Sequence, residues 1–368
     1  MTPNAIARLI ELGQSPWYDN LRRALLTSGE LAEMIAVDGI RGLTSNPTIF
    51  EKAIAAGTEY DAQLAELAPG TMTHEEIMWA LVLDDVRSAA NAFSAVYETS
   101  EGADGFVSVE VSPDLAHDTA ATIAQARHLH TTLALNNVMV KIPATAEGVG
   151  AVEEMIADGR NINVTLIFAL DRYAEVIEAY QRGLERLAAS GGDLSSVSSV
   201  ASFFVSRVDT EVDRRLPVEH PLRGLAAVAN ARLAYGLFRE RFAGPRWDAL
   251  AAQGARVQRP LWASTSTKNP AYSETLYVDT LIAVDTVNTL APSSIDALRE
   301  LNPSLLRPDT AAEDLEGSRR LFEELTKFGI DMVDVTDTLE REGVEAFSRS
   351  HHDLLATIAK RRDELVQA

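Results

Sequence analysis

The stretch Asn137-Val138-Met139-Val140-Lys141-Ile142-Pro143-Ala144-Thr145 sets one ammonium group inside an otherwise apolar run. Period-2 alternation puts Val138, Val140 and Ile142 on one face and Met139, Lys141 and Pro143 on the other. With apolar residues on both faces, the run reads as a strand buried on both sides, the habit of parallel sheets covered by helices. Lysine is scarce in this chain: Lys52, Lys141, Lys268, Lys327 and Lys360 stand against 28 arginines. Withdrawing an ammonium group from water makes its charged form costly. Unless an acid neutralises it, the amine's lone pair becomes available for attack on a carbonyl. A lysine snorkelling from a strand end, or held in a structural ion pair, is the alternative reading.

Outward from this strand, short β-like runs alternate with longer helical patterns along the whole chain. The expected strands are Ser15–Asp19, Gly39–Ser45, Gly105–Val111, Asn137–Ile142, Asn163–Phe168, Val197–Val205, Arg259–Ser264 and Val284–Leu290. Between them the expected helices are Leu21–Ala36, Thr48–Leu67, His74–Glu98, Leu115–Leu133, Ala146–Asp158, Asp171–Ala188 and Pro221–Gln253. Thr73 followed by Glu76 has the form of a helix-start capping box. Eight strands with interleaved helices predict an α/β fold of the (β/α)8 TIM barrel kind rather than an open doubly wound sheet. No Gly-x-Gly-x-x-Gly or Walker-type loop follows a strand, which removes the usual support for the open sheet.

Residues 1–14 read as a short amphipathic N-terminal helix. Residues from about 293 to 368 read as additional C-terminal helices, around Ile295–Leu301, Glu313–Phe328 and Val344–Val366. The last carries Val344, Phe347, Leu354, Leu355 and Ile358 at helical spacing. No Pro/Ser-rich or charged linker precedes them, so residues 1–368 are expected to form a single barrel domain with these helices packed on it. The Gly/Ser-rich connection Ala189–Ser196 is the one flexible-looking stretch.

Composition narrows the function. No stretch of the 368 residues is long and apolar enough to cross a membrane, and the absence of cysteine excludes disulfides, thiol nucleophiles and cysteine-ligated metals. The N-terminus lacks the basic start and apolar core of a secretory signal, which favours a cytoplasmic enzyme. A net charge of −21 argues against nucleic acid or a membrane surface as partner. An anionic substrate therefore needs a local basic cluster. His128 and His130 are two apart on an expected helix and point to different faces, and His351-His352 lie in a late helix. None forms a strand-end ligand pattern, so no metal site is expected.

Polar residues on the inner faces of barrel strands stand out because such strands are otherwise apolar. In strand three, Ser108, Glu110 and Ser112 alternate with Val107, Val109 and Val111; Thr44 pairs by parity with Asn46, and Asn163 with Thr165. A single strand Ser or Thr is most often a satisfied core hydroxyl. The coincidence is more telling: Asp19, Asn46, Glu110, Lys141 and Thr165 all fall near the C-terminal ends of consecutive strands, where barrel enzymes assemble their sites. An amine, two carboxylates, an amide and a hydroxyl suit Schiff-base chemistry with acid–base assistance.

Four of these segments, Gly42-Leu43-Thr44-Ser45-Asn46-Pro47-Thr48, Ser108-Val109-Glu110-Val111, Val140-Lys141-Ile142-Pro143-Ala144-Thr145 and Asn161-Ile162-Asn163-Val164-Thr165-Leu166-Ile167-Phe168, resemble the transaldolase family in residues, order and spacing. Ala201-Ser202-Phe203-Phe204-Val205-Ser206-Arg207 continues the likeness, and the length resembles the longer bacterial members. The resemblance implies transfer of a dihydroxyacetone unit between sugar phosphates in the pentose phosphate pathway, from a ketose donor to an aldose acceptor. Sedoheptulose 7-phosphate and glyceraldehyde 3-phosphate would give erythrose 4-phosphate and fructose 6-phosphate, without any cofactor. It further implies a Schiff base on Lys141, acid–base work by Asp19 at the C4 hydroxyl, and imine formation served by Glu110 and Thr165 through a shared water. Asn46 and Asn163 would hold donor hydroxyls, and Ser202, Arg207 and a further cation the phosphate. Phe204, on the inward parity with Ser202, would keep water from the enamine, although a core phenylalanine is the commoner reading. Strand seven departs from the pattern: Lys268, in Ser264-Thr265-Ser266-Thr267-Lys268-Asn269, stands where many members place an arginine. A Schiff-base aldolase acting on fructose 6-phosphate and a non-catalytic sugar-phosphate-binding barrel are the competing readings. A monomer and a homodimer are equally compatible with the sequence.

Overall fold

The computed structural model describes residues 4–367. Among these, eight parallel strands close into a barrel in chain order: β1 (Gln14–Asp19), β2 (Gly42–Thr44), β3 (Phe106–Glu110), β4 (Val138–Pro143), β5 (Ile162–Ile167), β6 (Ser199–Phe204), β7 (Arg259–Ala263) and β8 (Thr286–Leu290). β1 pairs β8 from Gln14↔Thr286 to Tyr18↔Leu290, which closes the ring and leaves no free edge. The expected (β/α)8 barrel is therefore the observed architecture.

The strands form where valine, isoleucine and leucine bury on the outer face under helices while the inner face is filled by its neighbours. Along β1 the inward residues Ser15, Trp17 and Asp19 mark three depths. At the floor, Ser15 and Trp17 meet Asp104 and Arg259: Arg259 Nη1 donates to Ser15 Oγ at 2.9 Å and pairs with Asp104 at 3.0 Å. Trp17 plugs the middle, and Gly42 is required beside it, since a Cβ there would lie 2.6 Å from the indole. Asp19 reaches the open C-terminal mouth.

Helices differ from the expected spans mainly at breaks. Leu21–Ala36 is split into Arg23–Thr27 and Glu30–Glu33 by Gly29 at φ 85°, and is followed by a π turn, Met34–Asp38. Thr48–Leu67 is two helices, Pro47–Ala56 and Asp61–Leu67, with Gly57 between them. His74–Glu98 breaks at Phe93, and Pro221–Gln253 resolves into Ala226–Arg241 and Pro245–Ala251. The Thr73–Glu76 capping box is present in both directions. A helix at Ser206–Arg215 was not expected, because its sequence is polar and mimics a loop. The N-terminal helix is Ala5–Glu11, capped by Asn4, and Gln14 already belongs to β1; expected positions 1–3 lie outside the described residues. Ala189–Ser196 is a short connection ordered by Asp193, whose carboxylate accepts from Ser195 N at 2.9 Å. The last helix runs Met332–Gln367, starting earlier than expected, and packs against the helices after β2, β3 and β6.

One shell residue gives the fold a pH dependence. His130, on the helix Thr119–Leu133, is buried with no hydrogen-bond partner on Nε2, and burial above all, with the nearby charge of Arg160, pushes its imidazole down to about 4. The unfolded chain takes up this proton near 6.5, the folded chain only near 4, so the unfolded state binds more protons in that window. Stability is therefore lost as pH falls from about 6.5 toward 4. Denaturant unfolding at about pH 7 and about pH 5 should show a smaller loss in His130→Leu than in the parent; an equal loss would mean that His130 does not contribute.

Candidate active site

Strand register brings the sequence-expected groups together at the mouth. Glu110↔Lys141↔Asn163 and Pro143↔Thr165 are neighbours across β3, β4 and β5. Lys141 is 6% exposed; its Nζ donates to the carbonyl of Ser45 at 3.0 Å and lies 3.7 Å from Glu110 Oε2. Of the readings open for this lysine, snorkelling is excluded by its burial, and the carboxylate partner is too far to form a tight hydrogen bond. Glu110 Oε2 itself has no hydrogen-bond partner among the described residues. Burial raises the Glu110 carboxyl above its usual range, Lys141 opposes this and Asp19 adds to it. Glu110 thus sits behind the lysine as a group able to carry a proton.

Thr165 is the second unpartnered polar group: its Oγ1 is buried without a hydrogen bond and lines the pocket. Its inward aim follows from strand alternation with Asn163 and its regular pairing with Pro143; an irregularity follows directly after it. The β5–β6 register shifts between Val164 and Ile167, and Leu166 takes φ 59°, a left-handed conformation that costs a branched side chain energy and persists only where the surroundings enforce it. On the opposite wall Asp19 accepts from Thr44 Oγ1 at 2.8 Å, and Thr44 in turn bonds Thr289 Oγ1 at 2.7 Å. Thr289 was missed in the sequence, although a hydroxyl near the end of a buried strand is the signal that found Thr165.

Two of the expected hydroxyl-holding amides are partly committed to the protein. Asn46 lines the pocket, but its Oδ1 caps the helix Pro47–Ala56 by accepting from Ile49 N at 3.1 Å, which leaves Nδ2 for a ligand. Asn163 is fully buried below the pocket: its Nδ2 donates to Ser108 Oγ at 3.0 Å and its Oδ1 accepts from Ser202 Oγ at 2.7 Å. In this arrangement it holds Ser202, which does line the pocket, rather than lining it itself.

The pocket encloses about 410 Å³. Besides Lys141, three basic side chains line it: Arg207, Lys268 and Lys52. Arg207 stands in the first turn of Ser206–Arg215, its guanidinium 5.1 Å from the centre of the Phe204 ring, with no carboxylate in ion-pair range among the described residues. Burial lowers its pKa, Asp19 and Glu342 oppose the shift, and the group stays charged. Lys268 donates to Ser266 Oγ at 2.7 Å and is lowered by partial burial first and by the charge of Arg207 second. Two like charges facing one cavity without a bound carboxylate make an anion site. Lys52, on the exposed side of Pro47–Ala56, carried no strand-end signal in the sequence. Phe347, expected only as part of an apolar helix stripe, also lines the pocket. Among the described residues no group of His, Asp and Glu side chains is placed to hold a metal ion.

Residues 16–358 match the family described as "Transaldolase/Fructose-6-phosphate aldolase". The chain is similar over nearly its whole length to curated bacterial proteins. It is 47% identical to "Transaldolase" of Saccharopolyspora erythraea, covering 99% of this chain and 100% of that one. It is 46% identical to "Transaldolase 1" of Streptomyces coelicolor, with 98% and 96% covered, and 48% identical to "Transaldolase" of Acidothermus cellulolyticus, with 96% of each covered.

The unpaired guanidinium makes a direct prediction about anions. Inorganic phosphate, followed by calorimetry, should bind in a salt-sensitive manner, and Arg207→Ala should weaken it by about ten- to a hundredfold, since a charge-assisted hydrogen bond contributes roughly 1.5–3 kcal/mol. Lys268→Ala should weaken it less, because an ammonium lacks paired geometry. Unchanged affinity in Arg207→Ala would place the anion site elsewhere.

Proposed function

The chain belongs to the transaldolase/fructose-6-phosphate aldolase family, and from that premise we infer that Lys141 carries the dihydroxyacetone unit as an imine while a transaldolase reaction moves it between sugar phosphates. The enzyme is a transaldolase, a transferase of a three-carbon ketol unit. The observation that carries the site assignment is the meeting, in one pocket, of a buried lysine, a carboxylate on the facing wall and a guanidinium with no carboxylate of its own.

The Lys141 amine attacks the ketose carbonyl. Glu110 and Thr165, both presenting buried polar atoms without hydrogen-bond partners among the described residues, move the protons of carbinolamine formation and dehydration, with a water between them. Asp19, fixed by Thr44, takes the proton of the C4 hydroxyl as the C3–C4 bond breaks and the imine accepts the electron pair. The aldose phosphate leaves, the enamine adds to the incoming aldehyde, Asp19 returns the proton, and the carbinolamine steps run in reverse to free the new ketose phosphate and the Lys141 amine. Asn46 Nδ2 orients sugar hydroxyls; Ser202, Arg207 and Lys268 hold the phosphate of donor and acceptor in turn. The reaction is redox-neutral and the imine is its electron sink, so the reading invokes no cofactor. No helix among the described residues is long and apolar enough to span a membrane, and we read the enzyme as a cytoplasmic member of the pentose phosphate pathway.

Borohydride with fructose 6-phosphate should add one triose unit to Lys141, mapped by peptide mass, and Lys141→Arg should lose both trapping and turnover while remaining folded. Label on another lysine ends the assignment. Asp19→Asn should still trap while turnover falls about 10²–10⁴-fold, whereas Glu110→Gln should slow trapping itself. Identical trapping rates in the two variants would contradict their separate roles.

A further inference from the structure

The C-terminal helix Met332–Gln367 lies across the mouth of the barrel, tied to loops and helices that follow four different strands. Ser350 bonds Thr48 beyond β2 at 2.7 Å, and Ser348 and His352 both meet Asp114 beyond β3, at 2.6 and 2.8 Å. Glu340 pairs with Arg172 beyond β5 at 3.7 Å, and Asp334 with Arg215 beyond β6 at 2.5 Å. Gly343 sets the depth of this crossing: a Cβ there would lie 3.0 Å from Leu166, the bulge residue beside Thr165, and 3.6 Å from Arg207 Nη1. One turn later Phe347 enters the pocket. It is 7% exposed, its ring centre is 6.0 Å from Lys141 Nζ, and among the described residues it stacks on no other aromatic ring.

We propose that Phe347 is a specificity-determining residue that decides the fate of the enamine, by covering Lys141 on the solvent side so that the aldehyde, rather than a proton, meets the reactive carbon. The proposal rests on the imine reading of Lys141. Two outcomes compete for the enamine. In transfer, its C3 forms a bond to the aldehyde carbon, the resulting alkoxide takes a proton from Asp19, and water at C2 then breaks the C–N bond to release the new ketose phosphate. In release, C3 takes a proton from solvent to give the iminium, water adds at C2, the C–N bond breaks, and dihydroxyacetone leaves with the amine regenerated. Both paths end with water adding at C2 to free Lys141; only the second places a solvent proton on C3 in place of the aldehyde carbon. Phe204, with the Arg207 guanidinium over its ring, lines one wall of the same pocket; Phe347 comes from outside the barrel and closes the side that the strands leave open.

The test compares parent, Phe347→Ala and Phe347→Leu, each checked by circular dichroism. Fructose 6-phosphate is supplied alone for release, and with erythrose 4-phosphate for transfer. The release-to-transfer ratio should rise about tenfold or more in Phe347→Ala, equivalent to ~1.4 kcal/mol of barrier difference, and by less in Phe347→Leu. In D2O the released dihydroxyacetone should carry one deuterium at the protonated carbon. A merely structural role would lower both rates together and leave the ratio unchanged, and that result in either folded variant overturns the proposal. If Phe347→Ala does not fold, Phe347→Leu, which keeps most of the volume but not the flat cover, decides it. A parent that gives no borohydride adduct at Lys141 removes the imine reading and this proposal with it. A parent that traps and transfers, with ratios unmoved in the variants, removes only this one.

Discussion

Taking the ammonium group of Lys141 out of water is the demand to which the rest of the barrel answers. A closed sheet gives an inner side chain neither an edge nor bulk water to turn to, so each polar group there must be met by another strand. Lys141 obtains one backbone carbonyl, from Ser45, and one carboxylate at a distance too long for a tight pair. Closer pairing would tie the nitrogen to the carboxylate, and without Glu110 the carbonyl of Ser45 would be its only polar partner among the described residues. The intermediate arrangement depends on register, because Glu110 lies directly across from Lys141 only while β3 and β4 keep their alignment. A slip of one residue in either strand would turn that strand's group toward the helices.

The same economy applies to charge of the opposite sign. The chain as a whole carries −21, a field that repels a phosphate ester, yet most of its arginines are occupied by glutamate and aspartate on the surface. Arg207 is held out of such pairing by its position in the first turn after β6 and by the face of Phe204. Within a Debye length of about 8 Å the local cluster outweighs the distant acidic surface. Leaving a guanidinium without a carboxylate is unfavourable for folding and favourable for binding, a trade that sites commonly show.

What could be read in the sequence follows from which patterns are local. Strand residues announce themselves by apolar runs, and polar interruptions at their ends single out Lys141, Glu110, Thr165 and Asp19 in the sequence itself. Helix ends were less legible, since breaks at Gly29 and Gly57 interrupt patterns whose apolar spacing continues across them. Ser206–Arg215 is helical for tertiary reasons: Asp209 accepts from Ala227 N and Tyr277, and Asp213 from Gly224 N and Tyr272, contacts that no window of the sequence contains. The use of Asn163 to hold Ser202 depends on three strands at once. Phe347 lay in a stripe that periodicity assigns to packing, and only the path of its helix across the mouth gives that stripe a pocket to face.

That path reconciles two opposed needs of a barrel site. The C-terminal end of the strands is where loops can assemble functional groups, and it is also the end open to water. A mobile loop would close it at the expense of ordering entropy in every turnover. Here closure is built from a long helix whose polar residues are fixed at both sides of the mouth, so its apolar face is already in place when a sugar phosphate arrives. The glycine that permits the close crossing costs a helix interior about 1 kcal/mol relative to alanine. That loss is offset where the helix backbone meets Leu166, the residue with left-handed backbone next to Thr165. The bulge in β5 and the missing side chain at Gly343 are therefore complementary surfaces of one contact, through which the backbone next to Thr165 and the depth of Phe347 are set together.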